Sequence, residues 1–253
     1  MKLREQIRKE RKEFFANATP KEKFNYIKEY YGLYIMSAIV VIGFAIYITV
    51  QALTDPEPIL NGLFINSYNH ENSMVVTELG DDYMKDRDIN TSEYEVSFGS
   101  GLTIIEDDPM ASYESNQAIV VQISAGSVDF IVGPRDGMST YAYDELFVDL
   151  STVLSDEQIE KFKPYFLYID NAVVRKKQEI DSLEEATDIP IPDPSKPEEM
   201  EEPIPVYIDL SQSKRLENVY GNAIDKMVYG IAFNAPYTEN AIDFLEYVME
   251  QPE

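Results

Sequence analysis

Residues 34–53 read YIMSAIVVIGFAIYITVQAL, and no charged residue stands between Glu29 and Asp55. About 20 apolar residues rising about 1.5 Å each cover about 30 Å, the thickness of a bilayer's hydrocarbon core, and a helix satisfies every backbone group internally. The stretch predicts one transmembrane helix. It divides the chain into a segment 1–33, the span 34–53, a Pro-bearing linker 54–58 and a large part 59–253.

Charge assigns the two sides. Residues 1–33 carry nine Lys or Arg against five Glu, whereas residues 54–253 carry 12 of the 21 basic residues and 41 of the 46 acidic ones. Basic residues flanking a span stay cytoplasmic, so the expected arrangement is a single-pass protein of the cell membrane with its N-terminus inside and its C-terminal part extracytoplasmic. A cleaved signal peptide, cut near Val50-Gln51-Ala52, is the competing reading. The long leader and long apolar run favour an uncleaved anchor.

Working back from the span, Thr19-Pro20-Lys21-Glu22 is a capping box with Pro at the first helical position, which predicts a helix running from there into the membrane. Phe24, Ile27, Tyr30, Tyr31 and Tyr34 recur at helical spacing beside Lys21, Lys23 and Lys28, as in an interfacial aromatic belt with snorkelling lysines. Residues 2–12 are basic with Glu interspersed and suit a modest attraction to anionic lipid.

Working forward, the outer part is long enough for one domain with its own core. Its acidity excludes nucleic acid and disfavours docking on anionic lipid. The chain has no Cys, so disulfides, thiolate nucleophiles and Cys-based metal sites are absent and packing alone must hold the domain. Residues 59–68 (ILNGLFINSY) read as a buried strand, Val75, Val76, Leu79 and Tyr83 as a helix face, and Tyr94, Val96 and Phe98 as a strand with one wet side. Asp108-Pro109 opens and Gly126 closes a second helix, and residues 128–132 form a third strand. This βαβαβ order predicts an α/β fold, a mostly parallel sheet flanked by helices.

Further on, residues 140–147 suggest a short helix, and Ser155-Asp156-Glu157-Gln158 is another capping box. Residues 166–169, 206–210 and 228–233 read as strands. Leu216, Val219 and Tyr220 suggest a helix closed by Gly221, and Thr238 caps a last helix with Ala241, Leu245 and Val248 on one stripe. Residues 179–205 hold ten acids, one Lys and six Pro, a composition that predicts a mobile loop.

The tail 229–250, YGIAFNAPYTENAIDFLEYVME, resembles the C-terminal part of extracellular solute-binding proteins, in which a strand ends in Asn and an amphipathic helix closes the lobe. Residues 128–154 look like the strand, helix and "DLS" turn of the same proteins. The collar at residues 21–31, KEKxxYIxEYY, is similar to that of single-pass proteins of low-GC Gram-positive bacteria. The resemblance implies one solute-binding-protein-like lobe on a membrane stalk; the outer part is long enough for one such lobe.

Catalytic groups are few. His70 is the only histidine, and Ser97-Phe98-Gly99-Ser100-Gly101 lacks the glycine spacing of a nucleophile elbow. Asp81, Asp82, Asp86 and Asp88 miss the calcium-loop spacing. No metal, cofactor or catalytic residue is assigned, and the chain is not expected to be an enzyme. In open α/β sheets ligands sit at the carboxyl ends of strands. The candidate ligand-binding residues are therefore Ser67, Tyr68, Asn69, Gly99, Ser100, Gly101 and Arg135. Glycines allow close approach, Tyr68 stacks, and Arg135 forks onto a carboxylate or pairs locally with an acid. The expected function is a membrane-anchored extracytoplasmic binding or interaction module whose partners are the bilayer and a solute, a peptide or a membrane protein. The alternatives are a surface hydrolase using paired carboxylates and a structural subunit of a membrane complex.

Overall fold

The computed structural model describes residues 2–67, 73–105, 108, 110–180 and 189–250, and the chain forms two units, Met1–Asp55 and Pro56–Glu253. In the first, helix α1 (Lys2–Asn17) turns at Ala18-Thr19 into helix α2 (Pro20–Thr54). The predicted capping box starts α2: Thr19 Oγ1 accepts from Glu22 N–H at 3.4 Å and Glu22 Oε2 accepts from Thr19 N–H at 2.8 Å. Within α2, Pro20–Gln51 is long and apolar enough to cross a membrane, and none of its most apolar stretch is buried.

The second unit is a six-stranded sheet with helices on both faces, in the strand order β2-β1-β3-β6-β5-β4. The strands are β1 (Glu57–Phe64), β2 (Tyr94–Ser100), β3 (Phe130–Pro134), β4 (Phe166–Asp170), β5 (Pro203–Asp209) and β6 (Met227–Ile231). The βαβαβ reading holds: helix α3 (Ser73–Asp86) joins β1 to β2, helix α4 (Tyr113–Ser124) joins β2 to β3, and β1 is parallel to both neighbours. The remaining three pairings are antiparallel, so the sheet is mixed rather than mostly parallel. Hydrophobic period identifies a strand but does not encode its direction, which depends on how the long connections return.

Because side chains alternate across the sheet, each strand feeds two cores. Leu60, Phe64, Phe130 and Val132 face one core with Val76, Leu79 and Tyr83 of α3 and the last helix, α10 (Thr238–Met249), which contributes Ala241, Phe244, Leu245 and Val248. Leu63, Ile65 and Ile131 face the other core with Ile119 and Ile123 of α4, Met138 and Tyr141 of helix α5 (Arg135–Tyr143), and Val173 and Val174 of helix α8 (Asn171–Gln178). Two short helices, α6 (Leu150–Val153) and α7 (Asp156–Phe162), separate α5 from β4; the Ser155/Gln158 capping box opens α7 as predicted. A further short helix, α9 (Glu217–Tyr220), ends at Gly221, which has φ +55°.

Three local expectations are corrected. Thr238 begins α10 but does not cap it; its hydroxyl donates to the Ala235 carbonyl at 3.2 Å, and fully buried Asp129 instead accepts from Tyr237 N–H at 2.6 Å and Asn61 N–H at 2.6 Å. Helix α5 starts at Arg135, five residues earlier than predicted, because β3 leads straight into it. The acidic segment is built into the fold where it is described. Residues 203–205 open β5, Tyr168 N–H donates to Pro194 O at 2.8 Å, and Asp170 accepts from the N–H groups of Glu201 and Glu202 at 2.9 and 3.0 Å. Its charges are also partnered: Glu202 pairs with Arg175, and Lys196 with Glu199 at 3.2 Å. Composition counts acids as if isolated, whereas here the segment's own N–H groups hold Asp170 and bases of α8 meet Glu201 and Glu202.

Candidate functional site

The carboxyl ends of β1, β2 and β3 lie at one edge of the sheet, since these strands are parallel neighbours. At that edge Asn66 adopts φ +56°, a left-handed conformation that Asn tolerates, and its side chain staples the chain leaving β2. Asn66 Oδ1 accepts from Ile104 N–H at 2.7 Å and its Nδ2 donates to Ile104 O at 2.8 Å, while Asn66 N–H donates to Leu102 O at 3.0 Å. The buried hydroxyl of Ser112 accepts from Ile105 N–H at 2.7 Å, and Ser115 Oγ accepts from Thr103 N–H at 3.1 Å. The start of α4 is thereby tied to the same loop. This use of Ser112 accounts for a helix that begins at Tyr113 rather than at Asp108, which forms only a turn through Ser112 N–H at 3.2 Å.

The stapled loop, α4 and α5 enclose an open groove of about 830 Å³. Ile104, Ile105, Val120 and Val121 make it apolar, and three of these, Ile105 (47% exposed), Val120 (38%) and Val121 (65%), stand open to solvent with Tyr113 (56%). Polar groups reach it from both walls, Ser112, Asn116 and Gln117 from the α4 side and Asp136, Thr140 and Asp144 from the α5 side. Tyr141 donates to Asn116 Oδ1 at 2.7 Å, and burial, helped by the Asp144 charge, pushes its phenol up to about 12. Burial raises the Asp144 carboxyl against the pull of Lys177. A largely apolar surface with polar groups at fixed places is the usual make-up of a small-ligand site, and the volume lies in the usual range.

The sequence-predicted residues divide. Ser67 donates to Phe64 O at 3.1 Å and shapes the turn next to Asn66. Gly99 and Ser100 end β2 and Gly101, at φ +96°, turns the chain into the stapled loop; all three are exposed at the carboxyl edge but do not line the groove. Arg135 is turned away: it donates to Asp209 Oδ2 at 2.6 Å, a partner 74 positions on rather than the adjacent Asp136, and so links the start of α5 to the end of β5. Asp136 and Gly137, which follow it, reach the groove. Tyr68, Asn69 and His70 lie outside the described residues. The residues missed by sequence reasoning are Asn116, Val120, Val121 and Tyr141. The available signal was α4 itself, where Val120 and Val121 add apolar surface outside the stripe formed by Ile119 and Ile123.

No protein-family model matches the sequence, and no curated protein matches it. Among solved structures it is similar to the ABC substrate-binding protein Lmo0181 of Listeria monocytogenes in complex with cycloalternan, at 13% identity over 51% of this chain and 35% of that one, with a TM-score of 0.27. A second is the PBP AgtB of A. tumefaciens R10 in complex with agropinic acid, at 13% identity over 76% and 78% of the two chains and a TM-score of 0.33. A third is the substrate-binding domain assigned to a molybdenum ABC transporter of Clostridium difficile, at 11% identity over 77% and 93% and a TM-score of 0.34. The chain spans about a third of the length of the Listeria protein. Scores of this size fall short of a shared fold, and the architecture rests on the chain's own sheet order.

Proposed function

We propose that this chain is a membrane-anchored binding module. In this reading α2 spans the bilayer with the basic N-terminus inside, the acidic α/β unit stands outside the cytoplasm, and the groove between α4 and α5 holds an elongated solute or peptide segment with an apolar body. The observation that carries the reading is the groove: an open, largely apolar cleft of about 830 Å³, braced by three side chains and lying beside the loop that leaves the carboxyl end of β2. Asp136 and Asp144 on one wall favour a ligand whose polar end is cationic or donates hydrogen bonds. The resemblance of residues 229–250 to extracellular solute-binding proteins supports the same role.

The test is a thermal-shift screen of residues 56–253 against solutes and basic-apolar peptides, repeated with Thr140→Trp, which fills the groove from its exposed α5 side. A ligand at 100 times its Kd stabilises the unit by about 2.7 kcal/mol. The expected result is a melting temperature that rises with ligand in the parent and not in the variant. A shift of equal size in both would place the ligand elsewhere, and no shift with any ligand class, together with no partner crosslinked in native membranes, would overturn the reading.

A further inference from the structure

Helix α1 does not extend away from the first turns of α2 but folds back beside them. Arg11 Nη1 donates to the Tyr31 hydroxyl at 3.1 Å, and the rings of Phe14 and Phe15 lie 5.0 and 5.3 Å from that of Tyr26, which stacks on Tyr30 at 4.6 Å. Tyr31 precedes the first residue of the apolar run, Tyr34, by three positions, or about 4.5 Å of helix, whereas the turn at Thr19 precedes it by fifteen, or about 22 Å. The hairpin therefore carries the chain back to the bilayer surface, and Arg11 arrives at headgroup level.

What lies beyond Arg11 toward the N-terminus suits that level. Leu3, Ile7 and Phe14 recur at spacings of four and seven, one face of a helix, and Leu3 and Ile7 remain 72% and 55% exposed. That exposure means α1 diverges from α2 instead of packing along the span. Arg4 and Arg11 border one side of the stripe and Arg8, Lys9 and Lys12 follow around the helix, while Gln6 and Glu10 border the other side; residues 2–12 hold six bases and two acids, Glu5 and Glu10. An apolar stripe bordered on one side by bases, on a helix with a net positive charge that a hairpin delivers to the interface, is the arrangement of an in-plane interfacial helix. The acidic outer unit would be repelled by anionic lipid; this helix is attracted to it.

We infer that α1 is a lipid-binding element that lies in the membrane plane and recognises anionic headgroups through Arg4, Arg8, Lys9 and Arg11. The inference rests on α2 being the membrane span. The chain has no cysteine, so single introduced thiols report each part separately. The full chain carrying Ile7→Cys or Ile42→Cys, labelled with a polarity-sensitive fluorophore, is reconstituted in nanodiscs of phosphatidylcholine with or without phosphatidylglycerol. The label at position 42 should be shielded from an aqueous quencher in every disc. If it is not, the span itself fails. The label at position 7 should become shielded and blue-shifted in anionic discs, and high salt or a combined Arg4→Gln, Arg8→Gln and Lys9→Gln variant should lower its docked-to-free ratio on the order of 100-fold. A position-7 label that stays exposed on anionic discs while position 42 is shielded would overturn the inference. Equal shielding in neutral discs would overturn recognition of the headgroup charge.

Discussion

Gly62 sits on β1 opposite Phe130 of β3, and a Cβ added there would lie 2.1 Å from Phe130 Cζ and 2.6 and 2.8 Å from its Cε atoms. Carbon atoms in contact stand roughly 3.5 to 4.0 Å apart, so Gly62→Ala requires the ring to retreat by more than 1 Å. It has little room to do so. Phe130 is fully buried, stacked on Tyr229 and on Phe244 with both centroids at 4.8 Å, and met edge-on by Phe64 and Phe98 at 5.7 and 5.6 Å. Overpacking costs about 1–3 kcal/mol, and each aromatic pair is worth about 0.5–1.5 kcal/mol beyond its burial, so losing both stacks places the total near 3 kcal/mol. For a unit of this size that lowers the melting temperature by roughly 6–12 °C. Circular-dichroism melts of residues 56–253 would measure it. The same melts on Phe130→Leu and on the double variant supply the control, because a smaller residue at 130 makes room for the new methyl. The double variant should be at least about 1 kcal/mol more stable than the two single costs added together predict. A Gly62→Ala protein melting within about 2 °C of the parent, or strictly additive costs, would refute the claim that Phe130 is pinned.

Other consequences follow from the polar ties. Burial opposes the charged form of Asp170, but N–H donors from Glu201, Glu202 and Ala172 outweigh it and hold the carboxyl below the usual range. A depressed pKa means stability that is complete above the unfolded value of about 3.9 and is lost as pH falls through the folded one. Urea midpoints should therefore drop in acid, and Asp170→Asn should lose about 1–3 kcal/mol at neutral pH while flattening that acid slope. Tyr83→Phe keeps the buried ring and removes only its 2.8 Å bond to Asp243, costing about 1 kcal/mol in the same titration. Arg135→Met should destabilise the unit by about 1–3 kcal/mol through the stranded Asp209 yet leave the affinity of a groove ligand unchanged in calorimetry. A loss of that affinity would return Arg135 to the binding site.

Much of this architecture is legible in the chain because the physics is local. An uncharged apolar run, a Thr19/Glu22 capping box, a continuous apolar strand through Phe64, an alternating strand through Phe98 and a stripe through Ala241, Leu245 and Val248 each declare themselves within a few turns of backbone. So does the common carboxyl end of β1, β2 and β3, since parallel neighbours must end together. What the chain by itself left open depends on contacts between residues far apart in sequence. The antiparallel direction of the last three strands, the ordering of residues 189–202 around Asp170 and Arg175, and the turning of Arg135 to Asp209 rather than to a ligand are of this kind. The groove is another: Asn66 and Ile104 are 38 positions apart, and nothing near either announces that one staples the other. Local periodicity determined the elements, and an uncharged run determined the one helix apolar enough to cross a membrane. Only tertiary packing decided which side chains were spent on holding those elements together and which were left facing open space.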